Sequence, residues 1–137
     1  MEHRANLEKS YLALIEFLLL SKSNITSIGE KYNLSTIQSI TLILLNESRP
    51  MHNFTTIYNC DASNTTGIID GLEKKGLVGR YEDLKDRRVK MIKLKPEGAK
   101  IRQIIISKLT NDESFIVKKL DSSELVTFID LLKKITA

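Results

Sequence analysis

The sequence predicts a mainly α-helical protein carrying one small β-hairpin, and three observations lead there. Apolar residues recur at helical spacing near both ends of the chain. Between them, two short helical patterns meet at Asn59, as in a helix-turn-helix. Directly after Gly76 the pattern changes to short runs of apolar and β-branched residues, the mark of paired strands.

Leu7, Tyr11, Leu14 and Leu18 are spaced as on one helix face, and Ile15 and Leu19 widen the stripe, predicting an amphipathic helix over about 5–22. So broad a face suits a core helix and a dimer interface equally. The run from Tyr11 to Leu20 is interrupted by Glu16 and is too short to span a bilayer, so it reads neither as a signal-peptide core nor as a membrane anchor. Ser35 with Gln38 three residues on forms a capping box, and Ile37, Ile40 and Leu44 share the face behind it. This predicts a second helix ending near Arg49-Pro50. Leu42 to Leu45 are apolar on every side, which places that helix at the centre of the domain.

Met51, Phe54 and Tyr58, at offsets of three and four, make a short third helix. Asn59 suits the turn after it, because asparagine tolerates the left-handed conformation. Asp61 is placed to cap a fourth helix that turns Thr65, Ile68, Ile69 and Leu72 inward and closes at Lys75-Gly76. Leu77 to Tyr81 and Val89 to Leu94 read as strands, with Glu82 to Arg88 as the loop between them. Pro96 starts a further helix through Ala99, Arg102, Ile105 and Leu109, carried on by Phe115 to Leu120 with a break near Asn111-Asp112. Asp121 with Glu124 forms a second capping box, and Leu125, Phe128, Leu132 and Ile135 define a last amphipathic helix.

Composition narrows the function. A chain of 137 residues, 42% hydrophobic and 28% charged, fits one compact domain. Its single cysteine rules out an internal disulfide framework or a cysteine-built zinc site and points to a reducing cytoplasm. Residues 73–102 hold 11 basic and five acidic side chains, a net +6, against 10 basic and 12 acidic, a net −2, in the rest. A basic segment on a neutral-to-acidic body suggests a face for a polyanion. His3 and His52 are far apart with no ligand pattern around them, so no metal site is expected. No nucleophile elbow, phosphate loop or paired-carboxylate motif is present, so neither enzymatic activity nor a cofactor is expected.

A hairpin placed directly after the second helix of a helix-turn-helix is the arrangement of a winged helix. The segment from Asp61 to Val78 (DASNTTGIIDGLEKKGLV) resembles the recognition helix of the MarR family of bacterial regulators. Asp86 to Gly98 (DRRVKMIKLKPEG) resembles that family's wing, in register from about Ser35 to Gly98. The likeness implies a single domain over 1–137, with dimerisation helices over 1–34 and 99–137 and a winged helix-turn-helix lobe over 35–98. It implies a cytoplasmic homodimer that binds double-stranded DNA at a pseudo-palindromic operator, represses transcription and has no membrane partner. It is compatible with release by a small aromatic effector. A winged-helix module that binds protein and no longer reads DNA is the alternative.

The residues expected to read bases are Ser63, Asn64 and Thr66, on the exposed first turn of the recognition helix, where hydroxyl and amide groups can donate and accept, with Gly67 beside them on the DNA-binding face. In the wing, the resemblance implies that Arg88 enters the minor groove while Asp86 orients it. Arg80, Lys85, Arg87 and Lys90 would meet phosphates. Gly67 and Gly71 depart from the longer polar side chains common in the family. Dimerisation is expected through Leu7, Tyr11, Leu14 and Leu18 of the first helix and Leu125, Phe128 and Leu132 of the last. Cys60, just before the recognition helix, reads as a small buried hydrophobe in preference to a redox sensor.

Overall fold

The computed structural model describes residues 1–59, 62–111 and 116–137. The elements follow in the order α1 (Glu2–Glu30), α2 (Thr36–Leu44), β1 (Arg49–Pro50), α3 (Met51–Tyr58), α4 (Ala62–Lys74), β2 (Val78–Glu82), β3 (Lys90–Leu94), α5 (Pro96–Asn111), a 3-10 turn (Ile116–Lys119) and α6 (Ser122–Thr136). The expected class, mainly helical with a small antiparallel wing, is the one observed. Two compact units divide the chain, one over Ile25–Ile106 and the other over Met1–Asn24 with Ser107–Ala137.

In the unit over 25–106, Leu42, Phe54, Ile69, Leu72, Val78, Ile92 and Ile105 are fully buried, so α2, α3, α4, β2, β3 and α5 all supply one core. The buried hydroxyls of Ser39, Thr41 and Thr65 in it are hydrogen-bonded, as a low-dielectric interior requires. Ser39 Oγ donates to Ser35 O (3.0 Å) and Thr41 Oγ1 to Ile37 O (2.7 Å). Thr41 also meets the Tyr58 hydroxyl, tying α2 to α3, and Thr55 Oγ1 donates to Thr65 Oγ1 (3.0 Å), tying α3 to α4. These bonds constrain the angles of the helix-turn-helix as apolar contacts alone would not.

Helix ends follow local chemistry. Ser35 Oγ accepts from the Gln38 amide (3.2 Å) while Gln38 Oε1 accepts from the Ser35 amide (3.0 Å), the capping box read from the sequence. Asn59 adopts the left-handed conformation (φ 50°) that the turn into α4 was expected to need. Gly76 (φ 74°) closes α4: its amide donates to Glu73 O (2.9 Å) and that of Leu77 to Leu72 O (3.1 Å), a Schellman motif whose two leucines are both buried. The expected N-cap Asp61, like Cys60, lies outside the described residues.

Three boundaries differ from expectation. Helix α1 runs on to Glu30, past the end expected near 22, because Ile28 and Gly29 are buried and a Cβ on Gly29 would overlap Ser39 Oγ. Helix α2 stops at Leu44 and not at Arg49-Pro50. Arg49 instead curls back, Nε donating to Leu44 O (2.6 Å), and satisfies a carbonyl that the helix end leaves unpaired. Arg49-Pro50 is then free to form β1, which pairs with β3 at Ile92 and Met91. Among the described residues the sheet therefore has three strands in the order β1-β3-β2, not two. Finally, α5 reaches Asn111, where a break was expected, but Ile116–Lys119 form a 3-10 turn and not a continued α-helix.

The start of α5 approaches the wing's base closely. Lys95 N donates to Leu77 O (2.9 Å), and a Cβ on Gly98 would overlap that same carbonyl, standing 2.9 Å from its carbon. Only glycine fits there without displacement.

In the other unit, Phe17 of α1 and Phe128 of α6 meet edge to face (centroids 5.6 Å, 76°). Asp121 caps α6, Oδ1 accepting from the Glu124 amide (2.9 Å), as expected. Helix α1 is long and apolar enough to cross a membrane by length and composition alone, a property the ten-residue run considered earlier does not have. Glu8, Lys9, Glu16 and Lys22 interrupt its apolar surface.

Candidate nucleic-acid interface

Within the unit over 25–106, α4 is the helix that carries the expected base-reading residues. Thr65, Ile69 and Leu72 are fully buried and fix its rotation, which leaves Asn64 and Gly67 exposed and Thr66 half-buried. The Ser63 side chain is not among those described. A Cβ on Gly67 would meet open space, so this position presents backbone alone. Gly71 is different: it is half-buried, and a Cβ there would stand 2.8 Å from Gln38 Nε2. Gln38 is held on its other edge by the Ser35 amide and by Lys75 Nζ (3.0 Å), so moving it would disturb the cap of α2. Gly71, unlike Gly67, thus has a packing reason for lacking a side chain.

The hairpin is pinned by cross-strand pairs, Val78 opposite Leu94 through Glu82 opposite Lys90. Lys90 Nζ donates to Glu82 Oε1 (3.1 Å), and Lys93 Nζ sits 5.1 Å from the centroid of the Tyr81 ring. At its far end, Arg88 forks onto Asp86: Nε donates to Oδ1 and an NH2 group to Oδ2, both at 3.1 Å. The Arg88 amide adds a third bond to Oδ1 (3.1 Å). Those bonds, the side-chain pair first, hold the Asp86 carboxyl below the usual carboxylate range and push Arg88 up. Even so, the Arg88 side chain is 91% exposed. A pair this exposed adds little to folding stability; its effect is to aim a guanidinium outward. Lys85 and Arg87 are exposed beside it, as is Leu84 at 97%.

Arg80 does not stand free. Its NH2 group donates to Asp70, and Nε lies 3.7 Å from Glu73 Oε2, so the guanidinium joins β2 to two carboxylates of α4. The expected phosphate contact would require breaking that arrangement.

A groove of about 380 Å³ that the sequence did not suggest runs between α3 and the wing, lined by Met51, His52, Thr55, Thr56, Arg88, Val89 and Lys90. Its cause is β1: pairing Arg49-Pro50 with β3 sets the first turn of α3 beside the wing. The signal for it in the sequence is Arg49-Pro50 directly ahead of a short helix, a pair that equally suits the end of α2.

On the other unit, Leu7, Tyr11, Leu14 and Leu18 are exposed, Tyr11 at 67%, and so are Leu12, Leu19 and Leu20. In α6 the residues expected at a dimer interface, Leu125, Phe128 and Leu132, are the half-buried ones. Phe128 packs within the chain on Phe17, and the exposed apolar residues of α6 are Val126, Ile129, Leu131 and Ile135. Among the described residues no group of three metal-ligating side chains gathers.

Comparison with known proteins agrees with this architecture. A profile of the MarR family matches residues 38–90, from α2 to the wing. The chain is 31% identical to the HTH-type transcriptional regulator YsmB of Bacillus subtilis (strain 168), over 98% of this chain and 92% of YsmB. Among solved structures it is similar to the transcriptional regulator BldR of Sulfolobus solfataricus, with a TM-score of 0.77, 24% identity, and 99% of this chain and 97% of BldR covered. A similar match is the MepR–DNA complex of S. aureus, with a TM-score of 0.66, 22% identity, and coverage of 93% and 95%. With the helix-turn-helix, the wing and this full-length relative in hand, the chain belongs to the MarR family of winged helix-turn-helix transcription regulators, which are not enzymes.

Proposed function

We propose that the protein binds double-stranded DNA sequence-specifically as a homodimer in the cytoplasm and represses transcription. The observation that carries this reading is the Asp86–Arg88 fork, a preorganised cation at the exposed end of a wing that follows a recognition helix. Narrow minor grooves concentrate negative potential and draw in arginine. The exposed Asn64 would contact base edges in the adjoining major groove, with Ser63 and Thr66 beside it. Lys85, Arg87 and Lys90 would supply sequence-independent affinity. That MepR has been crystallised on DNA supports the same use of the fold.

We assign residues 35–98 to DNA reading and 1–34 with 99–137 to dimerisation. Contiguous exposed apolar side chains on α1 and α6 support a second copy as their cover, since a monomer rarely exposes so many together. Two recognition helices about 34 Å apart would then enter successive major grooves of a pseudo-palindrome. A small aromatic effector that changes that spacing would release DNA through its preference for the non-binding form.

The exposed backbone at Gly67 favours the alternative of a protein-binding winged helix. A salt titration of binding to random duplex separates the two. A DNA binder loses affinity steeply as salt rises, whereas an interaction module shows no binding to titrate.

A further inference from the structure

Arg80 sits on β2, opposite Ile92, at the strand by which the chain enters the wing. Its side chain is 27% exposed and points at α4, where Asp70 and Glu73, three residues apart, share one helix face. One NH2 group donates to Asp70, and Nε, buried and without a hydrogen bond, faces Glu73 Oε2 at 3.7 Å. Both carboxylates are roughly half-exposed, on a helix that would approach phosphates if the DNA-binding reading holds. We propose that Arg80 is a positioning residue, clamping the wing's first strand to the recognition helix through Asp70 and Glu73, and that it does not itself contact DNA. This rests on the DNA-binding reading for its consequence, though not for the clamp itself.

The clamp has two effects. It offsets negative charge on α4, and it couples the direction of Arg88 to that of Asn64, so that both reading elements engage one duplex at a fixed spacing. Lysine, a compact point charge, would not bridge two carboxylates in the same way.

The test exploits an opposite sign. Removing two carboxylates from a DNA-facing helix by Asp70→Asn with Glu73→Gln should tighten binding if Arg80 acts on phosphate, because the arginine is freed and repulsion falls. The clamp predicts the reverse: affinity drops about fivefold, the scale of a partly exposed pair. It also predicts that adding Arg80→Ala to this double variant costs nothing further. The probe is a fluorescein-labelled genomic duplex fragment selected by the wild-type protein. Tighter binding by the double variant, or a salt slope shallower by about 0.9 in Arg80→Ala alone, the mark of one lost phosphate contact, overturns the proposal. Amide exchange in the DNA-free protein gives an independent reading. In the double variant the Asp83 and Val89 amides of the hairpin should exchange severalfold faster, beyond any change in the core amides, and unchanged exchange overturns the clamp. Failure of the wild-type protein to bind any duplex would defeat the DNA-binding reading, while exchange would still decide the clamp.

Discussion

Gly98→Ala poses a direct contest between two physical effects of opposite sign. Alanine is the better helix former, so propensity alone predicts a gain of up to about 1 kcal/mol. Position 98, however, lies in the first turn of α5 beside the base of the wing, and the added Cβ would overlap the Leu77 carbonyl oxygen and stand 2.9 Å from its carbon. That neighbour is backbone, the first residue after the Schellman closure of α4, with its oxygen already accepting from Lys95 N (2.9 Å). It has little room to yield. Overpacking of this kind costs about 1–3 kcal/mol, and loss of the Lys95 hydrogen bond about 1 kcal/mol more. Setting the helix gain against these leaves a net destabilisation of about 1–3 kcal/mol. For a chain of this size that is a fall of about 3–10 °C in melting temperature. Thermal unfolding by circular dichroism at fixed protein concentration, needed because oligomerisation shifts the midpoint, reads it. An unchanged or raised midpoint would show that α5 does not approach Leu77 as described.

Ser35→Ala should destabilise the protein by about 1 kcal/mol in a denaturant titration, since it removes the acceptor that caps α2. Arg88→Ala should weaken binding to a selected duplex by about tenfold or more with the melting temperature nearly unchanged, because the side chain is 91% exposed and so open a pair with Asp86 adds little to folding stability. Asn64→Ala should leave affinity for random duplex nearly intact while broadening the bases accepted in a selection, as expected of a base-edge contact. Because the Asp86 carboxyl titrates below its ordinary range when folded, the fork's stabilisation is complete above that range and disappears as pH falls through the lower, folded value. The Arg88 Nε proton resonance should therefore stay fixed from neutral pH down to the usual carboxylate range and move only below it.

Signals that arise from short-range chemistry were legible in the sequence: both capping boxes, the left-handed Asn59, the glycine that ends α4 and the inward set Thr65, Ile69, Leu72. Each is decided within a few residues. What was hidden depends on partners far along the chain. The stop of α2 at Leu44 needs the Arg49 guanidinium to satisfy a carbonyl, and β1 is two residues long, with meaning only once β3 is beside it. The groove holding His52, Arg88 and Lys90 follows from that same pairing. Likewise, nothing local distinguishes Arg80, held by Asp70, from Arg88, aimed outward by Asp86, although both had been given a role on DNA. In α6, periodicity correctly marks an apolar stripe, but the half-buried Phe128 and the exposed Ile129 are told apart only by the position of Phe17.

Hydroxyl-radical footprinting of the protein on a selected genomic fragment tests the central claim most directly. A paired winged-helix reader should protect two half-sites on one face of the duplex, their centres about one helical turn (~34 Å) or a whole multiple of it apart, flanked by minor-groove protection that disappears in Arg88→Ala. A single half-site, protection without two-fold symmetry, or an identical footprint from the Arg88 variant would contradict the account.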